Sequence, residues 1–304
     1  MISLTMHFFR ALCLLSSAAL ATAAAAPPCG GHGDRSTMLV STAWLEQHLH
    51  DADVLVLFTG QKADYDTAHI PGALFLAYTD IQAAPGALTL ELPTMDRLAE
   101  VFEKLGATND SHLVLYASKG ITAAETRVFL TLDTMGLGSH TSILNGGFSA
   151  WQGEGRAASA ELRAVTPGKL QLCPQSDTGV DADYVRGNLR QPGVDIVDAR
   201  DPQYYSGAST STGKRAGHIP GATNLTYSTL IDEDGKLNSE EKLRQQFAAA
   251  GVQPGDRVVS YCHIGQQATM VYFAARYLGM DARLYDGSWE EWSAHASWPA
   301  EVAK

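Results

Sequence analysis

Cys262 is the side chain in this sequence best placed to act as a nucleophile. It directly follows the apolar run 258–261 and precedes an apolar-rich helical segment that starts near Gln266. Functional sites of open α/β sheets lie just beyond the carboxyl ends of the strands, whereas a free cysteine elsewhere usually packs as a small apolar residue. The strand-turn-helix position therefore favours a reactive thiol at Cys262.

The turn after Cys262 is suited to hold a negative charge. It contains one glycine and no acidic residue, and its members are His263, Ile264, Gly265, Gln266 and Gln267. Successive backbone N–H groups in such a turn bind anions, and the following helix N-terminus adds partial positive charge. We therefore expect Cys262 to ionise below the pKa of a free thiol and to attack a sulfur atom, with these five residues binding the substrate. His263 either adds positive charge at mildly acidic pH or is an exposed residue without a role.

Arg200 is the second candidate site residue. It follows the apolar segment 194–198, which is predicted to be a strand parallel to the one before Cys262, so both residues lie at one edge of the sheet. A guanidinium group is suited to bind an oxyanion through two hydrogen bonds. The alternative is a surface salt bridge to Asp198 or Asp201.

The elements that position these residues occur twice in the chain. The segment 68–73 recurs at 217–222, 115–120 corresponds to 260–265, and 144–151 corresponds to 284–292, all in the same order. A period near half the chain length indicates duplicated domains. We predict domains at 38–155 and 179–300, joined by a linker at 156–178 that is rich in small residues and proline.

Each half alternates apolar strand segments with helical segments, which predicts an α/β domain with a small parallel β-sheet flanked by α-helices. The predicted strands are 54–58, 113–117, 142–144, 194–198, 257–261 and 282–285, and the predicted helices are 121–135, 240–250 and 266–278. Ala117 stands where the second half has Cys262, and Gly60 or a neighbour stands in place of Arg200. The first domain is therefore predicted to be inactive.

The N-terminal 26 residues are typical of a secretory signal peptide. A weakly basic start precedes a short apolar run and an alanine-rich stretch with small-x-small cleavage sites at 21–23 and 23–25. A membrane-spanning helix needs about 20 apolar residues, and this run is shorter. Export leaves a mature protein without a membrane segment, in which Cys29 and Cys173 could form a disulfide while Cys262 stays free.

Composition and motif spacing exclude several classes of protein. The net charge of -11 disfavours binding to nucleic acid. The sequence has no zinc-type Cys/His spacing and no glycine-rich nucleotide motif after a strand. A Cys-based phosphatase would need an arginine at position 268, where this chain has Ala268.

An ordered set of motifs resembles the rhodanese (thiosulfate sulfurtransferase) family over residues 38–298. The set comprises 198–200 with Tyr204, the box at 217–222 with Asn224, the Cys-x-x-Gly turn at Cys262, and 285–289. The resemblance implies that Cys262 takes a sulfane sulfur from a donor as a persulfide and passes it to a nucleophile such as cyanide or a thiol. It implies no metal or organic cofactor, small-molecule partners, and a substrate-binding role for Arg200.

The turn sequence bears on the identity of the sulfur donor. Thiosulfate enzymes often have Arg-Lys after the cysteine, where this chain has His263 and Ile264. The Cys-Gly-Ser/Ala-Gly turn of 3-mercaptopyruvate enzymes is absent as well. The resemblance therefore favours thiosulfate or another sulfane donor, with 3-mercaptopyruvate and a non-catalytic persulfide carrier as alternatives. Two covalently joined domains make a monomer the expected state.

Overall fold

Two five-stranded parallel sheets organise the part of the chain that the computed structural model describes, residues 31–83, 86, 88–211 and 213–303. The first sheet contains β1 (Leu39–Val40), β2 (Val54–Phe58), β3 (Leu74–Phe75), β4 (His112–Tyr116) and β5 (Thr141–Leu144). The second contains β6 (Gly179–Val180), β7 (Val194–Asp198), β8 (Thr223–Asn224), β9 (Arg257–Tyr261) and β10 (Ala282–Tyr285). Their strand orders, β1-β5-β4-β2-β3 and β6-β10-β9-β7-β8, are the same topology used twice.

Helices cover both sheets. Those of the first half are α1 (Arg35–Met38), α2 (Thr42–His48), α3 (Lys62–Thr67), α4 (Met95–Lys104), α5 (Ala123–Thr134) and α6 (Gly147–Gly153). Those of the second half are α7 (Ala182–Gly187), α8 (Pro202–Ser206), α9 (Glu240–Ala249), α10 (Ala268–Tyr277) and α11 (Ser288–Ala294). All five residues of β2 are buried, as expected for a parallel strand covered on both faces. The predicted α/β fold class with two tandem domains is confirmed.

The two domains pack together through α5 and α10. The rings of Phe129 and Phe273 meet edge to face with centroids 4.9 Å apart. The Tyr272 hydroxyl donates a hydrogen bond to Asp133 at 2.5 Å, and an apolar cluster of buried residues extends through both domains. The end of β9 therefore lies in a domain that packs directly against the first domain.

The predicted strands agree with the structure to within one residue. The helix predicted from 266 begins at Ala268, since Ile264, Gly265 and Gln267 turn their N–H groups towards Cys262. Residues 156–178 contain neither helix nor strand. None of the helices in the described ranges has the length and apolar character needed to cross a membrane.

Two cysteines lie within the described residues, and they differ in their bonding state. Cys173 is disulfide-bonded, and Cys262 is a free, buried thiol. Cys29, its predicted pairing with Cys173, and the predicted signal peptide at 1–26 all lie outside the described residues.

Candidate active site

Cys262 is fixed at the carboxyl end of β9 by hydrogen bonds on both sides of its backbone. Its N–H donates to the Ser288 hydroxyl at 3.1 Å, and its carbonyl accepts the N–H of Trp289 at 3.0 Å. Ser288 holds the left-handed backbone conformation, with φ of 51°. The start of α11 therefore anchors the reactive position.

The predicted ring of backbone donors is present. The backbone N–H groups of Ile264, Gly265, Gln267 and Ala268 approach the Cys262 sulfur closely enough to lower the pKa of its thiol. Gly265 has φ of 79°, and a Cβ at this position would overlap the Asp286 carboxylate, so only glycine fits the turn. The turn forms a cradle for a negatively charged sulfur atom, and we call it the cysteine cradle (residues 262–268).

The expected low pKa of Cys262 is wrong. The thiol is fully buried, and this desolvation raises its pKa above the ordinary value. The four N–H groups lower the pKa but offset only part of the cost of removing the thiolate from water. The N–H groups of the cradle therefore partly stabilise a thiolate that burial disfavours. They do not make Cys262 a strongly acidic thiol.

The raised pKa predicts how Cys262 reacts with alkylating agents. Only the thiolate is nucleophilic, so the alkylation rate should keep rising with pH beyond the point where a free thiol such as glutathione levels off. Iodoacetamide labelling followed by mass spectrometry between pH 6 and 10 measures this rate. A rate already constant at pH 7 would contradict the effect of burial.

Arg200 is buried beside the cradle and held in place. Its Nε and Nη2 donate to the Asp198 carboxylate at 2.9 and 2.6 Å, and Nη2 also donates to the Gly217 carbonyl at 2.8 Å. Its guanidinium lies 4.8 Å from the Trp289 ring centroid. The salt bridge to Asp198 considered from the sequence exists, but it is buried rather than on the surface.

Arg200 nevertheless remains able to act on an anion at Cys262. Within the described part of the chain, its Nη1 makes no hydrogen bond, while the guanidinium and Cys262 interact electrostatically. The predicted role in substrate binding therefore stays a prediction, with Nη1 as the available donor.

His263 is half-buried rather than exposed. Its Nδ1 lies 3.0 Å from the Ser211 hydroxyl, and its ring meets Tyr204 edge to face at 4.6 Å. Burial, then the nearby Arg200, lower the pKa of His263, so the ring is less readily protonated than a free histidine. The expected positive charge at His263 is therefore disfavoured by its surroundings.

The remaining turn residues lie around the cradle. Ile264 and Gly265 contribute backbone N–H groups, and the Gln266 carbonyl accepts the Thr269 hydroxyl at 2.7 Å. The Gln267 Oε1 is buried and has no hydrogen-bond partner among the described residues. Gln267 thus offers a side-chain acceptor as well as a backbone donor.

Sequence reasoning missed Arg127, a first-domain residue that supports the cysteine cradle. Arg127 on α5 donates to both carboxylate oxygens of Asp286, at 2.5 and 3.0 Å, and to the Gly265 carbonyl at 3.2 Å. It also donates to the Leu90 carbonyl, and its side chain is almost fully buried. The signal was present in the sequence, because a charged residue inside the largely apolar segment 121–135 requires a buried partner.

Both halves of the chain match one known family. Residues 41–154 and 181–295 each match the Rhodanese-like domain family. The chain belongs to the rhodanese family. It is 32% identical over 271 residues to the sulfur carrier protein TtuD of Thermus thermophilus, covering 84% of this chain and 93% of that protein. It is 30% identical over 267 residues to the thiosulfate sulfurtransferase of Azotobacter vinelandii, covering 87% and 97%.

A solved structure agrees with this assignment. The crystal structure of SseA from Escherichia coli, one of the 3-mercaptopyruvate sulfotransferases, matches with a TM-score of 0.75 at 26% identity. The match covers 83% of this chain and 99% of that one. This rhodanese is thus a two-domain sulfurtransferase with relatives of more than one donor type.

The first rhodanese domain carries an occupied counterpart of the cysteine cradle. Ala117 follows β4, and the carboxyl group of Glu125 lies inside the loop, where its Oε2 accepts the N–H of Thr122 at 2.6 Å. The other carboxyl oxygen, Oε1, is buried without a hydrogen-bond partner among the described residues, and burial raises the pKa of Glu125 to about 8. An acid side chain therefore takes the N–H of Thr122, the residue that corresponds to Gln267 of the cysteine cradle.

The position of Arg200 is also lost in the first rhodanese domain. Strand register places Phe58 where the second domain has Asp198, since Phe58 pairs with Tyr116 as Asp198 pairs with Tyr261. Gly60 then stands in place of Arg200, and the Phe58 ring fills the space beside it.

The described residues contain no cluster of three or more metal-ligating side chains.

Proposed function

We propose that this protein is a thiosulfate sulfurtransferase that carries sulfur on Cys262. The observation that carries the proposal is the set of backbone N–H donors around a buried, free cysteine, with Arg200 beside it. Such donors can hold a persulfide anion after transfer in the same way as they hold a thiolate. The relatives named as sulfurtransferases support this chemistry.

The proposed cycle has two displacements. The Cys262 thiolate attacks the outer sulfur of thiosulfate, a new sulfur–sulfur bond forms on Cys262, and sulfite leaves with the electron pair of the broken bond. Cyanide or a thiolate then attacks the terminal sulfur, and the Cys262 thiolate is regenerated as the product leaves. The Arg200 Nη1 binds the sulfonate oxygens of the donor.

The residues after Cys262 argue against 3-mercaptopyruvate as the donor, although they also lack the Arg-Lys pair common in thiosulfate enzymes. The turn has His263 and Ile264 and lacks the Gly-Ser/Ala-Gly sequence of 3-mercaptopyruvate enzymes. The lowered pKa of His263 disfavours a cationic contact from this ring, so Arg200 is the residue on which we expect oxyanion binding to depend.

Thiosulfate-to-cyanide transfer by the purified protein tests the proposal, with Cys262→Ala and Cys262→Ser as matched variants. We expect thiocyanate from the wild type and none from either variant. Activity with 3-mercaptopyruvate but not with thiosulfate would replace the proposed donor. A single stoichiometric loading of Cys262 without turnover would favour the carrier function.

We also propose that the protein is exported and acts as a monomer after removal of residues 1–26. The proposal is supported by the signal-like N-terminal composition. Native mass spectrometry of the periplasmic fraction should give a single processed chain. A full-length chain retained in the cytoplasm, or a dimer mass, would contradict it.

A further inference from the structure

Tyr78 is a first-domain residue that meets the active site of the second domain. It begins the short 3-10 helix Tyr78–Ile81, which lies between β3 and α4 in the first domain. Its ring packs against the apolar cluster shared by the two domains, which includes Cys262 and Ala268. The function proposed above assigns no role to this side chain.

The hydroxyl oxygen of Tyr78 is buried without a hydrogen-bond partner among the described residues. The Gln266 amide lies near enough to lower the pKa of Tyr78, yet no atom completes a hydrogen bond of good geometry with the hydroxyl. A buried hydroxyl without a partner costs stability, and a phenylalanine here would avoid that cost. An unpartnered hydroxyl on a ring that packs against the cluster containing Cys262 therefore points to a ligand that supplies the missing partner.

The charges around Tyr78 indicate what kind of ligand this is. Arg127 is already neutralised by Asp286 and bound to the Gly265 carbonyl, so its guanidinium is committed to holding the cradle. Burial raises the pKa of Tyr78 to about 12, so at neutral pH the group is an uncharged O–H donor. Its free donor suits an anionic oxygen or sulfur.

We propose that the Tyr78 hydroxyl donates a hydrogen bond to the anionic sulfur donor bound at Cys262, which makes it a substrate-binding residue contributed by the first domain. This inference rests on the proposed function, since it takes the ligand to be the thiosulfate dianion. The first domain then supplies both the support of the cradle, through Arg127, and a direct contact to substrate, through Tyr78.

The second domain offers a matched control at the repeated position. Tyr227 begins the corresponding 3-10 helix Tyr227–Leu230 and is partly buried, like Tyr78. Its hydroxyl is not one of the buried oxygens without a partner. Tyr227→Phe removes the same atom from an equivalent helix on the other domain.

Binding of radiolabelled thiosulfate to unreactive protein tests the proposal. Equilibrium dialysis would compare Cys262→Ala with Cys262→Ala/Tyr78→Phe and Cys262→Ala/Tyr227→Phe. A hydrogen bond to a charged group predicts a dissociation constant about tenfold higher for the Tyr78 variant and an unchanged one for the Tyr227 variant. In the active protein, Tyr78→Phe should raise KM for thiosulfate by a similar factor.

The result that would contradict the role of Tyr78 differs from the result that would contradict the proposed sulfur donor. Equal dissociation constants for the Tyr78 and Tyr227 variants would overturn the role of Tyr78 and leave the sulfurtransferase proposal intact. Absence of thiosulfate binding by Cys262→Ala itself would contradict the proposed donor. Urea unfolding keeps a folding defect apart from a binding defect, because Tyr78→Phe removes an unpartnered group and should not lower the free energy of unfolding.

Discussion

Gly265→Ala is expected to lower the rate of sulfur loading on Cys262 by about a hundredfold or more, the loss seen when a single anion-stabilising donor is removed. The new Cβ would overlap the Asp286 carboxylate and would hold a left-handed conformation that L-residues disfavour. Relief of the overlap must move the turn, and with it the N–H groups on the sulfur. Stopped-flow measurement of sulfite release from thiosulfate gives the loading rate.

Gly279→Ala is the matched control for this experiment. Gly279 also has φ of 79°, and a Cβ built there meets no atom within 4 Å, so the substitution introduces backbone strain without the overlap. We expect a modest loss of stability and an unchanged loading rate. Similar loading rates for the two variants would show that the cradle geometry does not limit the reaction.

Asp198→Asn is expected to lower the free energy of unfolding by about 3–5 kcal/mol, because it leaves the Arg200 charge buried without its counter-ion. Both side chains are almost completely buried, and the Asp198 carboxylate also accepts the Tyr261 hydroxyl at 2.8 Å. An asparagine carries no charge. Its amide N–H groups would also face a donor group of Arg200 or Tyr261, which the carboxylate oxygens accept. Urea denaturation followed by far-ultraviolet circular dichroism measures the loss.

Two further variants identify the cause of that loss. Asp201→Asn changes a neighbouring carboxylate that makes no salt bridge in the described structure, and it should alter stability by less than about 0.5 kcal/mol. Asp198→Asn/Arg200→Met removes the unpaired charge and should recover part of the stability. A loss below about 1 kcal/mol for Asp198→Asn alone would contradict a buried ion pair at this place.

The sequence predicted the strands closely because buried parallel strands appear as continuous apolar runs. The two-residue strands β1, β3, β6 and β8 were missed, since two residues carry no periodicity. The place of Cys262 followed from the order of strand, turn and helix. Its pKa did not, because desolvation depends on how completely the surrounding chain encloses the thiol, and the turn sequence alone does not show this.

The contribution of the first domain was also beyond reach of motif reasoning. Tyr78 and Arg127 come from segments far from Cys262 in the chain, and only the packing of α5 on α10 brings them to the cradle. The prediction of an inactive first domain rests on Ala117, which supplies no nucleophile at the position of Cys262. It did not identify which residues of the first domain reach the cysteine cradle.

The Glu125 carboxyl group limits how the first half of the chain could regain a reactive cysteine. A cysteine restored at position 117 would emerge into a loop whose Thr122 N–H is already bound. Loss of Glu125 first would leave the Thr122 N–H without this partner, with no nucleophile to use it. Regaining chemistry in the first half thus requires at least two changes, neither useful alone, so the division of labour between the copies is difficult to reverse by single substitutions.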